Sequence, residues 1–180
     1  MARPAFRSVN APLGLAIAAV VGVVALVMAG NGGSSGPRIT AILPETWTDR
    51  ATTSAEDADG FEVIRLEAAP DLDAFRARLD AAGVEIAYTD TPDVSEIERL
   101  LAEVEGAADV AGQCDGPTDR PVSIVGFAGR ERLYTGCGAD GGSVWLLALV
   151  GVDRPGHLTT RLHGTADEQG DLLSTLGVAG

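Results

Sequence analysis

Cys114 and Cys137 are the two cysteines of the chain and His157 and His163 its two histidines, so thiol or imidazole chemistry rests on these four side chains. In a domain outside the cytoplasm, two cysteines are expected to form a disulfide. The loop it would close is about two dozen residues long, and chain entropy makes such a closure worth about 3 kcal/mol, less any strain. No C-x-x-C spacing is present to lower the pKa of one thiol, which argues against a redox-active pair. Zinc fits poorly: 22 residues separate Cys114 from Cys137 and 19 separate Cys137 from His157, whereas zinc modules bring their ligands in pairs a few residues apart.

Other constellations fall short in the same way. A Ser–His–acid set can be drawn from Ser123 or Ser143, His157 or His163, and Asp153, but nothing local positions the groups. The acidic segment Ser54–Gly60 (SAEDADG) has the flavour of a calcium loop. With Gly60 at the turn position, however, Ala55 stands at the first ligand position and Leu66 at the twelfth, where a carboxylate is needed. Gly136, Gly138, Gly141 and Gly142 make a glycine-rich turn between predicted strands, and the helix N-terminus that a phosphate cradle needs does not come after it. Trp145 is expected in the core. Trp47, after Pro44 in a polar stretch, is expected either to mark an exposed contact surface or to cap the sheet.

The elements that would position these residues are set by periodicity. Arg38–Leu43 alternates and reads as a first strand; Glu45–Gly60 is polar and reads as loop. Phe61–Glu67 reads as a strand, Pro70–Ala82 as a helix with Leu72, Phe75 and Leu79 in one stripe and Gly83 at its end, and Val84–Tyr88 as the next strand. That unit predicts a βαβ arrangement with a right-handed crossover. Asp93 or Ser95 is expected to cap a second helix through about Ala108, and Ser95 with Glu98 fits a capping box. Pro121–Ala128, Arg130–Gly136 and Ser143–Val152 then read as consecutive strands, with Leu158–His163 as a fourth, which predicts an antiparallel meander. Asp167–Leu176 reads as a last short helix. The predicted fold class is α+β: a βαβ-α unit followed by an antiparallel sheet.

The N-terminus has a different character. Ala11 to Gly30 is a run of 20 residues without a charge, about 30 Å long as a helix and so long enough to cross a bilayer. Arg3 and Arg7 precede it, which by the positive-inside rule keeps residues 1–10 in the cytoplasm and sends residues 38–180 out. The length of the run favours an uncleaved single-pass anchor over a signal peptide cut after Ala29, where Val27-Met28-Ala29 makes a small-x-small site. Gly14, Ala18 and Gly22 form a small-residue stripe, which so Ala- and Gly-rich a segment produces readily by composition. Residues 31–37 (NGGSSGP) read as a flexible linker.

Charge narrows the partners. The chain holds 13 Lys+Arg, all arginine, against 26 Asp+Glu; without Arg3 and Arg7 the domain has 11 arginines and a net charge of −15. A field of that sign repels nucleic acid and anionic lipid, so no nucleic-acid partner is expected. No cofactor or metal is implied. The sequence therefore predicts a binding or accessory module of the cell envelope, held in the membrane by residues 11–30, without catalytic activity, and facing an envelope protein partner. The alternatives are an exported hydrolase working through His157 or His163, and a secreted binder released after Ala29.

Overall fold

The computed structural model describes residues 36–91 and 96–179, together with the backbone of residues 24–27. It is an α+β domain with a mostly antiparallel sheet and few helices. Ten strands are described: β1 (Val24–Val27), β2 (Arg38–Leu43), β3 (Asp49–Glu56), β4 (Glu62–Ala69), β5 (Gly83–Thr89), β6 (Asp115–Ile124), β7 (Phe127–Cys137), β8 (Gly142–Gly151), β9 (His157–His163) and β10 (Gly177–Ala179). The helices are α1 (Leu72–Ala77), α2 (Ile97–Ala108) and α3 (Ala166–Thr175). Seven strands form one sheet in the order β3-β4-β5-β9-β8-β7-β6, and β1, β2 and β10 form a small second sheet.

Two layers cover the large sheet. Even-numbered residues of β4, β5 and β9, among them Leu66, Ile86 and Leu162, join Ile39 and Leu43 of β2 and Leu172 and Leu176 of α3 in one core. Val144, Leu146 and Ala148 of β8 face the other way and pack with Leu100, Leu101 and Ala108 of α2. Alternation along each strand assigns the faces. The nearly all-apolar β8 is flanked on both sides, as an interior strand should be, and β6 to β9 form the expected meander.

Three expectations are corrected. The Phe61–Tyr88 unit is not a parallel crossover: β4 and β5 are antiparallel neighbours, with Val63 opposite Thr89. Its helix explains why. Asp71 caps α1 by accepting from the Ala74 N–H at 2.9 Å, but the helix ends after Ala77, and Arg78 is already extended. A helix of 6 residues rises about 9 Å, too short to carry the chain back along an eight-residue strand of about 26 Å. Gly83 is not its C-cap but the first residue of β5, pressed so closely on Phe75 that a Cβ would lie 2.5 Å from the ring.

The second correction concerns residues 45–60. Asp49–Glu56 is a strand, paired along its whole length with β4. Its polarity reflects its position at the edge of the sheet, with one flank in water. The acidic segment with the outline of a calcium loop is the hairpin turn after it. Asp57 Oδ1 accepts the backbone N–H groups of Asp59 and Phe61, both at 2.9 Å, and Gly60 takes the left-handed φ of +83°.

The third correction shifts a hairpin. β6 ends at Ile124 and β7 begins at Phe127, so the turn is Val125–Gly126 rather than Gly129. Gly129 lies within β7, where β8 crowds it: a Cβ there would sit 2.0 Å from the Ala148 carbonyl oxygen.

At α2 the N-cap is Glu96, without a side-chain capping bond, and the expected caps Asp93 and Ser95 lie outside the described residues. The last helix has a full capping box, with Glu168 N–H to Thr165 Oγ1 and Thr165 N–H to Glu168 Oε2.

Most of the expected membrane segment, residues 11–23 and 28–30, also lies outside the described residues, as do 1–10 and 31–35. Within it, Val24–Val27 is a strand on β2, with Val24 opposite Leu43 and Val27 opposite Thr40, where hydropathy predicts part of a helix. Valine-rich apolar runs satisfy either structure, and periodicity does not separate them. No described helix is long and apolar enough to cross a membrane.

Candidate functional site

α2 runs over β8, β9 and part of β7 and leaves the same face of β4 and β5 uncovered. The step from covered to uncovered sheet is a groove. Its floor is the odd-numbered side of three strands: Val63 and Arg65 from β4, Glu85 and Ala87 from β5, and His157 and Arg161 from β9. Leu100, Glu103, Val104 and Ala107 of α2 form the wall. One cavity of about 220 Å³ occupies this stretch. A second, of about 650 Å³, continues past His157 to Asp57, Asp59 and Phe61 of the β3–β4 turn.

Strand register places the charges on the floor. Glu85 and Arg161 are opposite each other across the β5–β9 pair, and Arg161 Nη2 donates to Glu85 Oε2 at 3.1 Å. Arg65, from β4, reaches Glu85 Oε1 at 3.1 Å. Next along β4, Glu67 is bound by Arg76 of α1, and this contact together with its neighbouring charge holds the Glu67 carboxyl below its usual range against the opposing effect of burial. Arg161 also lies over the Phe75 ring, 4.7 Å from its centroid.

The two histidines occupy different environments. His157 lines both stretches of the groove; its Nδ1 is buried without a hydrogen-bond partner, and burial pushes its pKa down against the pull of Glu103. His163 is closed in at 1% exposure, packed 4.8 Å from Phe75, with neither ring nitrogen hydrogen-bonded. Burial, reinforced by the nearby Arg161 charge, lowers its pKa to about 4.

His163 is thus a neutral core residue, and acid should expose that fact. Its folded pKa lies below the free value, so the unfolded chain takes up the proton first. Its contribution is complete above about pH 6.5 and is lost as pH falls toward 4. By pH 4.5 the loss should reach about 2.5 kcal/mol. Urea unfolding at pH 7 and 4.5 should show that drop, and His163→Leu should remove most of it. An unchanged slope in the variant would refute the assignment.

The other sequence candidates are dispersed. Ser123 is on the edge strand β6, Ser143 is at the start of β8, and Asp153 is exposed in the turn before β9. No described hydrogen bond joins a serine to a histidine. The letters G-x-S-x-G occur at Gly32–Gly36, but a nucleophile elbow lies between a strand and a helix, and the element next in the chain is the strand β2. Among the described residues no three His, Cys, Asp or Glu side chains are grouped as a metal site.

Cys114 and Cys137 are joined as a disulfide, with their Cα atoms 4.1 Å apart, tying the loop after α2 to the end of β7. Closing a loop with a sequence separation of 23 should be worth about 3 kcal/mol. Reduction is therefore expected to lower the melting temperature by about 10 °C. A shift below about 2 °C would show that the staple does not constrain the unfolded chain.

An arginine clamp fixes the wall of the groove. Arg132 on β7 bonds Glu105 of α2 at 2.7 Å and Asp119 of β6 at 2.9 Å. The carboxylates, Asp119 foremost, raise the pKa of the guanidinium, and burial followed by Glu105 pushes the Tyr134 hydroxyl up to about 12. Reading single residues does not find Arg65, Glu85 or Arg161. The signal is present in pairs of strands: the non-core positions of FEVIRLE, VEIAY and LTTRLH carry charges of both signs that complement one another across the sheet.

Comparison with protein-family models, with curated proteins and with solved structures gives no match to this chain.

Proposed function

We infer that the protein is an exported binding module that presents the α2 groove to a partner in the cell envelope, with residues 11–30 holding it at the membrane. The groove carries this reading. It is walled by an apolar helix stripe and floored by ordered charge pairs, which is the composition of a recognition surface. The disulfide supports an oxidising compartment. The net charge supports a partner that is neither nucleic acid nor anionic lipid.

The anchor and β1 compete for the same residues. If Val24–Val27 stays on β2, only residues 11–23 remain for a helix, a rise of about 20 Å against the roughly 30 Å of hydrocarbon. The anchored form therefore requires β2 to give up β1. Cleavage after Ala29, the secreted alternative, would remove β1 altogether. His157 in the groove is the observation favouring an exported hydrolase, and turnover discriminates: a hydrolase would release product from a groove ligand and lose that release in His157→Ala, whereas a binding module would leave the ligand chemically unchanged.

A photo-crosslinking residue tests the binding surface in cells. Placed at Thr159, on the same β9 face as His157 and Arg161, it should give a discrete adduct in the envelope fraction. Placed at Ser174, exposed on α3 in the opposite layer, it should not. Equal adducts from both positions, or none from Thr159, would defeat the reading.

A further inference from the structure

The groove has a positive end and a negative end, and we propose that it binds a short zwitterionic chain: an extended peptide of about four residues with both termini free. This rests on the groove being the binding surface, and it names the ligand class for that surface.

At the positive end Arg65 and Arg161 share one carboxylate, Glu85, each at 3.1 Å. The adjoining Arg76 and Glu67 are matched to each other and lie outside the lining of the cavity. Arg161 is the inner member, its side chain 13% exposed and its Nε buried without a hydrogen-bond acceptor. Two guanidiniums on one carboxylate leave that end with an excess of one positive charge. At the negative end Asp57, Asp59 and Glu103 line the cavity with a single arginine, Arg99, which pairs with Glu103 at 3.6 Å. The excess there is negative and suits an ammonium group.

His157 stands between the ends with its unpartnered Nδ1, and a peptide backbone offers it either a donor or an acceptor. Four steps along β9 lead from Arg161 to His157, about 13 Å at the rise of a strand, and Glu103 lines the groove alongside His157, so four extended peptide residues reach from the arginines to the first carboxylate of the negative end. Leu100, Val104 and Ala107 on the wall and Val63 and Ala87 on the floor give its side chains an apolar lane. A nucleic-acid strand lacks the cationic end, and a lipid acyl chain would leave both charged ends desolvated and unmatched.

The test is calorimetric titration of the full-length protein in lipid nanodiscs with tetraalanine, its N-acetylated form and its C-terminal amide. Free tetraalanine should bind, and blocking either terminus should weaken it by about tenfold. Arg65→Gln should remove the penalty for the amide and leave that for acetylation, and Glu103→Gln should do the reverse. Both side chains are half exposed or more, so neither change threatens folding. Binding that ignores the state of the termini, or no binding at millimolar peptide, would overturn the proposal. If tetraalanine fails while the Thr159 crosslink still forms its adduct, the zwitterion falls and the binding module stands; if both fail, both fall.

Discussion

Replacing Trp47 with alanine should cost the domain about 4 kcal/mol. The sequence leaves this residue between an exposed contact and a sheet cap, and the structure buries it to 2% exposure in the core beneath the large sheet, with Ile39 and Leu43 of β2. Its backbone closes the turn that delivers it there: Trp47 N–H donates to the Pro44 carbonyl at 3.0 Å, and its own carbonyl accepts from Arg50 Nε at 3.1 Å. Truncation removes the transfer free energy of an indole and leaves a cavity that β2 and β4 are too well tied to collapse into. Urea unfolding of Trp47→Ala measures the loss. A change under about 1 kcal/mol would return Trp47 to the surface and would undo the seating of the small sheet on the large one.

The second large effect lies on the edge hairpin. Glu131 is 1% exposed, and its described partner is Arg120, directly opposite on β6, which donates to both carboxylate oxygens at 3.0 and 3.2 Å. Arg120→Ala leaves a carboxylate enclosed without its cation, at an expected cost of about 3 kcal/mol. Removing both charges with Arg120→Ala and Glu131→Leu should recover most of that, because the desolvation of the carboxylate disappears with it. The double-mutant cycle reads the coupling. Equal losses in the single and double variants would mean that Arg120 acts through packing of its stem along the edge strand and not through its charge.

These two residues also show where the sequence is legible. Strands β7 to β9 and α2 are readable from apolar periodicity, because each buries one face against a continuous core, whereas β6 is readable only from Pro121 onward, since its first residues, Asp115–Arg120, are exposed at the sheet edge. β3 escapes the same reading because an edge strand needs no apolar alternation: Asp49–Glu56 is held by its backbone pairing to β4. Glu131 looks like one charge among many in RERLYTG, and only its register against Arg120 reveals it as a buried pair. The groove has the same character. His157 stands out by its scarcity, whereas Arg65, Glu85 and Arg161 come together through antiparallel pairing of β4, β5 and β9, and a parallel crossover for β4 and β5 would have separated them. The disulfide is legible because a chain with two cysteines offers each a single partner.

Export to the membrane with the disulfide formed is the claim on which the envelope reading stands, and the intact mass of natively expressed protein, taken without reductant from separated membrane and medium fractions, tests it most directly. The account predicts the full-length 18.4 kDa chain in the membrane fraction, with no thiol open to alkylation. A chain beginning at Gly30 in the medium would contradict the anchor, and free thiols at Cys114 and Cys137 would contradict the export itself.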